Sequence, residues 1–194
     1  MLRNPFPWSA LPALLLAAAC NQAPPAPEPV AAAVEAPSEA ELIDRGKYLV
    51  ETMGCHDCHS PKRMGPNGPE LDPDRLLSGH PAGSTLPPVP KDVAGWALFS
   101  MDLTAAVGPW GTSFSANLTS DETGIGNWTE EQFKRSITKG LYKGLEGSRP
   151  LLPPMPWQNL VNLKDEDIHA IFTYLKSTRP VENMVPPPIP PAAS

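Results

Sequence analysis

The 194-residue chain has few cysteines, Cys20, Cys55 and Cys58, and an odd number cannot all be paired within one chain. It is also short of cations. Fifteen Lys and Arg against 21 Asp and Glu leave a formal net charge of -6. Such a chain makes a poor partner for nucleic acid, and a basic protein patch suits it better. The plainer reading of the charge is a solvated acidic surface that aids solubility. Long hydrophobic runs are missing too. The most apolar stretch, Leu11 to Ala19, is too short to span a bilayer. Internal repeats are also absent.

What stands at the N-terminus is organised. Arg3 precedes the apolar run, which is the layout of a secretory signal. Small residues lead into Cys20. The arrangement resembles a bacterial lipoprotein signal, in which Cys20 is lipidated and becomes the new N-terminus. Ala17 stands where a larger apolar residue is usual, with Leu16 one place further back. The alternative is an ordinary signal peptide cut near Ala19, leaving Cys20 as a free thiol. Lipidation is the stronger reading, because an unpaired exposed thiol is a liability in an oxidising compartment. Asn21 is not the aspartate that commonly retains lipoproteins in the inner membrane, which favours the periplasmic face of the outer membrane. The expected organisation is a signal peptide at 1–19, a Pro/Ala-rich tether at 20–37, one domain at 38–181 and a Pro-rich tail at 182–194. The tail is expected to be unstructured or polyproline II.

The remaining cysteines belong to Cys55-His56-Asp57-Cys58-His59, a C-x-x-C-H. Two thiols three positions apart can each add across one vinyl group of a porphyrin, and the following histidine then faces the iron. A zinc site and a dithiol redox pair use the same cysteine spacing and remain as rivals. A thioredoxin-like dithiol would want a surrounding βαβ pattern, which the chain does not show. Export favours haem, since bacterial c-type haem is attached outside the cytoplasmic membrane.

Three helices are legible. One begins at Ser38, with Glu41 completing a capping box, and carries Leu42, Ile43, Gly46, Tyr48, Leu49 and Val50 into the haem motif. A second begins at Thr129 with Gln132, is stapled by Trp128 and Phe133, and stops near Gly140. The third follows Asp165, Glu166 and Asp167, acids suited to the positive end of a helix dipole, and repeats Ile168, Ile171, Phe172 and Leu175 at helical spacing. It must end before Pro180. Between Pro61 and Asn117 the chain is rich in Gly and Pro without a helical period. There Phe99, Met101 and Leu103 alternate with Ser100, Asp102 and Thr104, predicting a short β-hairpin with 111–119.

Together these pieces resemble a class I c-type cytochrome, and more closely the cytochrome c subunits of bacterial membrane-bound dehydrogenases. The likeness rests on Arg45-Gly46-Lys47-Tyr48-Leu49, Cys55 to His59, Asn117-Leu118-Thr119-Ser120-Asp121, Thr123-Gly124-Ile125-Gly126-Asn127-Trp128, Pro154-Met155-Pro156-Trp157 and Asp165-Glu166-Asp167 leading to Tyr174-Leu175. Those subunits usually carry three haem motifs, whereas this chain has one. The resemblance implies a mainly α fold, helices around one covalent haem c with long Gly/Pro-rich loops. It implies that the first and last helices cross, where Gly46 would admit the last helix near Ile171 and Tyr174.

The resemblance also asks for a second axial ligand opposite His59. Met53 and Met64 lie too close in sequence to the motif to cross the haem. Met101 reads as one side of an alternating face, and Met184 lies beyond the last helix. Met155, flanked by Pro153, Pro154 and Pro156, sits in a loop that prolines hold extended at low entropic cost. The resemblance places the ligand at the same residue. Core filling is its plainer role, and His80 is a rival ligand. His56 should point to solvent and His169 to the polar side of its helix. The resemblance further implies a proline carbonyl bonded to the proximal imidazole, at Pro69 or, equally short as a motif, Pro66.

With His59 and Met155 as metal ligands, the expected function is single-electron transfer between redox proteins outside the cytoplasmic membrane, without catalysis. A haem peroxidase or ligand-binding sensor with a labile sixth site is the alternative, and a structural zinc module a third reading.

Overall fold

Helix α1 (Glu39–Thr52) starts where its capping box predicts. Ser38 accepts from the Glu41 amide, and the Glu41 side chain accepts from the Ser38 amide. The structure, a computed structural model, describes residues 35–89 and 95–191. The signal peptide, Cys20 and nearly all of the tether lie outside the described residues. From Ala36 onward the chain is one compact unit.

α1 does not run into the haem motif as expected. Gly54 takes a left-handed φ of 71° and breaks it from a short helix, α2 (Cys55–His59). α3 (Glu130–Lys139) carries the Thr129–Gln132 capping box and ends on Gly140 at φ 65°, both as predicted. α4 (Asp165–Ser177) opens on its three acids and stops three residues before Pro180.

α1 and α4 pack across Gly46, where a β-carbon would sit 2.0 Å from the Ala170 carbonyl oxygen and 2.6 Å from Tyr174 Cβ. Only a hydrogen fits there. The closeness lets Leu49 and Val50 meet Ile168, Ile171 and Leu175 in one buried cluster, joined by Phe133, Ile137, Ile125 and Leu77. Fully burying a side chain of this size contributes about 1.5–3 kcal/mol. Arg45 closes the crossing at its rim with two hydrogen bonds to Asp167.

The segment between α2 and α3 departs from the mainly α expectation, and helices make up 32% of the described residues. Two antiparallel hairpins lie there, β1 (Lys62–Gly65) with β2 (Gly68–Leu71), and β4 (Ala105–Gly108) with β5 (Gly111–Phe114). β3 (Leu98–Phe99) adds to the β4 edge. The predicted hairpin is therefore present but displaced. Residues 101–104 form a turn rather than a strand, and Met101 is 80% exposed instead of lining a face. Both hairpins turn on the same four-residue pattern, Gly65-Pro66-Asn67-Gly68 and Gly108-Pro109-Trp110-Gly111. Proline presets the first central φ, and the closing glycine takes a φ of 120° or 92°.

The Pro-rich tail is not detached. The Asn183 side chain is buried and bonds Ser78 O, His80 O and the Ala82 amide, while Ile189 pairs with Thr112 beside β5. Its prolines deny it a ladder of its own, so it holds the domain by side chain and single bridges.

Candidate functional site

α2 sets the site. One turn of helix places Cys55 and Cys58 on the same face, and both are free, half-buried thiols. Burial pushes the Cys55 thiol up to about 11 and the Cys58 thiol in the same direction. His59 follows at the helix end, and burial pushes its imidazole down, keeping it neutral. A neutral imidazole is the form that can donate a lone pair to a metal.

The orientation of His59 comes from far along the chain. Its Nδ1 donates to the Ala116 carbonyl at 2.8 Å. That commits the proton to Nδ1 and leaves Nε2 with no protein partner among the described residues. The acceptor expected at Pro69 or Pro66 is thus corrected. Pro69 and Pro66 lie on the β1–β2 hairpin, and the imidazole bonds the Ala116 carbonyl instead. The 61–116 segment loops out and returns a carbonyl 57 positions later.

That carbonyl is held tightly. Ser60 Oγ accepts from the Leu77 amide, the Gly79 amide donates to His59 O, and the His80 amide donates to Ser115 O. The Leu118 amide closes the set on Leu77 O. Leu77, buried in a left-handed conformation at φ 60°, is a strained residue that these bonds over-determine. Gly79, at φ 75°, lets the two strands touch, because a β-carbon there would meet Ala116 C at 2.5 Å. Asn117 is buried and bonds Thr119, Thr123 and Val181 O, tying the same stretch to the chain that follows α4. This explains why Asn117-Leu118-Thr119 stood out in the sequence. Gly79 and Ala116 were missed, since no local pattern marks a carbonyl as an acceptor.

The other candidates fall elsewhere. Met155 is half-buried in the loop before the 3₁₀ turn Trp157–Leu160. The loop is anchored on both flanks. Ser113 Oγ donates to Pro153 O at 2.6 Å, and the Trp157 ring covers Gly140. Leu160 packs on the same apolar core that Cys55 borders. His80, the rival ligand, is 2% exposed. Its Nδ1 bonds Thr104 Oγ1, whose hydroxyl donates to Asp102, and its ring lies 4.7 Å from Phe114. His56 is not free in solvent as expected, because it is half-buried with Nδ1 on Ser60 Oγ. His169 is on the polar side of α4, bonded to Glu130. Among the described residues no group of three or more His, Cys, Asp or Glu is arranged to hold a bare metal ion.

Two thiols one turn apart, beside an imidazole with one nitrogen occupied and the other free, fit a porphyrin attached at two vinyl groups and ligated at its iron. The cytochrome c family model matches residues 43–179, and the chain belongs to the cytochrome c family. Its cofactor is covalently bound haem c.

The chain is 29% identical to the fructose dehydrogenase cytochrome subunit of Gluconobacter japonicus, over 92% of this chain and 29% of that one. It is 28% identical to the cytochrome c subunit of the quinone alcohol dehydrogenase of Gluconobacter oxydans, over 74% of this chain and 23% of that subunit. The gluconate 2-dehydrogenase cytochrome c subunit of Pantoea cypripedii is 28% identical over 69% of this chain and 22% of its own length. The chain thus spans less than a third of each of these relatives.

Proposed function

We propose that the chain is a monohaem electron carrier, with Cys55 and Cys58 as the attachment thiols and His59 and Met155 as the axial ligands of the iron. The observation that carries this reading is the His59–Ala116 bond of 2.8 Å. It spends Nδ1 and presents Nε2 beside two free thiols. The haem supplies a one-electron ferrous/ferric couple when bound. The chain's own work is to fix the imidazole, to exclude water with the α1–α4 core, and to deliver Met155 from the anchored 151–156 loop. With His59 and Met155 both holding the iron, no place would be left for oxygen or peroxide, and the protein would pass electrons rather than catalyse.

The relatives named above are cytochrome subunits of dehydrogenases, which supports a dehydrogenase or another redox protein as partner. Cys20 carries lipid and holds the domain at a periplasmic membrane face through the 20–37 tether. No helix among the described residues is long and apolar enough to cross a membrane.

The test is direct. Denatured protein should retain one haem per chain by intact mass. Met155→Ala should abolish the weak long-wavelength band of thioether-bound ferric haem, lower the potential and admit carbon monoxide. Haem that extracts freely, or an unmutated ferrous protein that binds carbon monoxide readily, overturns the reading. Cys20→Ala should release the protein from the membrane fraction.

A further inference from the structure

Lys62 is held in an unusual way. Its ammonium donates to three main-chain carbonyls, Asp57 O at 2.6 Å, Ser60 O at 3.3 Å and Asp102 O at 2.9 Å. An ammonium has three protons, and here each finds a backbone acceptor. Two of the acceptors bracket Cys58 and His59 in α2. The third belongs to the turn at 101–104, in the segment between α2 and α3. Lys62 makes no ion pair among the described residues. The nearby Asp102 carboxylate is engaged by Ser100 and Thr104 and leaves only its main-chain oxygen to the lysine. The side chain is half-buried, whereas its neighbour Arg63 is exposed.

We infer that Lys62 is a positioning residue that fixes a positive charge against the haem-binding helix and raises the reduction potential of the haem held there. Three features carry this. The charge is immobilised by the helix it acts on. No carboxylate among the described residues is ion-paired with it, and carbonyl oxygens stabilise the ammonium without cancelling its unit charge. The lysine also ties α2 to the 101–104 turn, so charge and proximal helix move together. A fixed cation favours the reduced iron, which carries one positive charge fewer than the oxidised form. Caged and half-buried, it is screened by salt far less than an exposed charge.

The inference rests on the haem assignment, so haem content is measured separately from potential. The haem-loaded protein, Lys62→Met, Lys62→Arg and Arg63→Gln are compared by mass, haem stain and potentiometric titration at low and at about 1 M salt. Lys62→Met should lower the ferrous-to-ferric ratio at a fixed ambient potential roughly tenfold, the effect of a unit charge acting over about 12 Å at an effective dielectric constant near 20. The loss should persist in high salt. Lys62→Arg, which keeps the charge, should restore most of the ratio. Arg63→Gln removes an equal charge from the exposed neighbour and should change little, and less still in salt. The proposal is overturned if Lys62→Met titrates like the parent, if Lys62→Arg shifts as far as Lys62→Met, or if the shift vanishes in salt. A Lys62→Met chain that folds without taking up haem, beside a Lys62→Arg chain that loads it, would assign the lysine to assembly instead and equally overturn tuning. Absence of covalent haem from the unmutated protein would instead refute the haem assignment, whatever the variants do.

Discussion

Replacing Gly46 by alanine tests the packing that holds the domain together. The added methyl carbon would lie 2.0 Å from the Ala170 carbonyl oxygen, 2.6 Å from the Ala170 carbonyl carbon and 2.6 Å from Tyr174 Cβ. The first two are backbone atoms of α4, so no rotamer change relieves the overlap. An ordinary carbon–oxygen contact requires α1 and α4 to separate by about 1 Å, and a gap of that size forfeits a quarter to a half of each dispersion contact across it. Leu49 and Val50 face Ile168, Ile171 and Leu175 across this seam, so the loss is felt through the main cluster. Overpacking of this kind costs about 1–3 kcal/mol, and forced backbone displacement puts Gly46→Ala at the upper end. Alanine regains up to about 1 kcal/mol through helix propensity. The net destabilisation is about 2 kcal/mol, which lowers the melting temperature by roughly 4–8 °C in a domain of this size. Thermal unfolding followed by far-ultraviolet circular dichroism reads it, with Gly83→Ala as the control, since that glycine is left-handed but has nothing within 4 Å of a β-carbon. If Gly46→Ala melts at or above the parent temperature, the close helix crossing is not what stabilises the domain.

Three further outcomes follow from the same geometry. Gly79→Ala combines a φ of 75° with a contact of 2.5 Å to Ala116. It should push the Ala116 carbonyl off His59, make the imidazole a poorer donor and raise the haem potential, read by voltammetry. Thr129→Ala removes one half of the α3 capping box and should cost about 1 kcal/mol in denaturant titration, while Thr129→Ser, at least as good a cap, should leave stability unchanged. Burial alone would raise the Asp102 carboxyl, but the bonds from Ser100 and Thr104 outweigh it and hold the group below its usual value. A depressed carboxyl contributes stability at neutral pH that is lost as pH falls through the carboxylate range. Asp102→Asn should therefore be less stable than the parent at neutral pH and should lose less on acidification to about pH 3, by melts across that range.

The local elements were legible because their signals are local. A capping box needs four residues, so the starts of α1 and α3 were read to the residue at Ser38 and Thr129. A C-x-x-C-H needs five, and one helical turn is enough to put its thiols on a face. The α4 acids and its apolar spacing are likewise internal to the element. The close approach at Gly46 was implied by the resemblance, and its partner proved to be the expected stretch of α4. The two G-P-x-G turns were equally local and carried a readable signal that the alternating residues at 99–104 obscured.

What only the tertiary structure decided are relations between residues far apart in the chain. The acceptor for His59 is a main-chain oxygen 57 positions away, and a carbonyl has no side-chain identity to betray it. Lys62 reads as an ordinary surface cation until Asp57, Ser60 and Asp102 are brought around it. The tail reads as a loose polyproline end until Asn183 finds Ser78 and His80, more than 100 positions upstream. The sequence by itself therefore determined which residues could carry the chemistry and where most helices begin. Long-range backbone hydrogen bonding, which depends on how the 61–116 segment folds back rather than on the residue type at either end, decided how that chemistry is held.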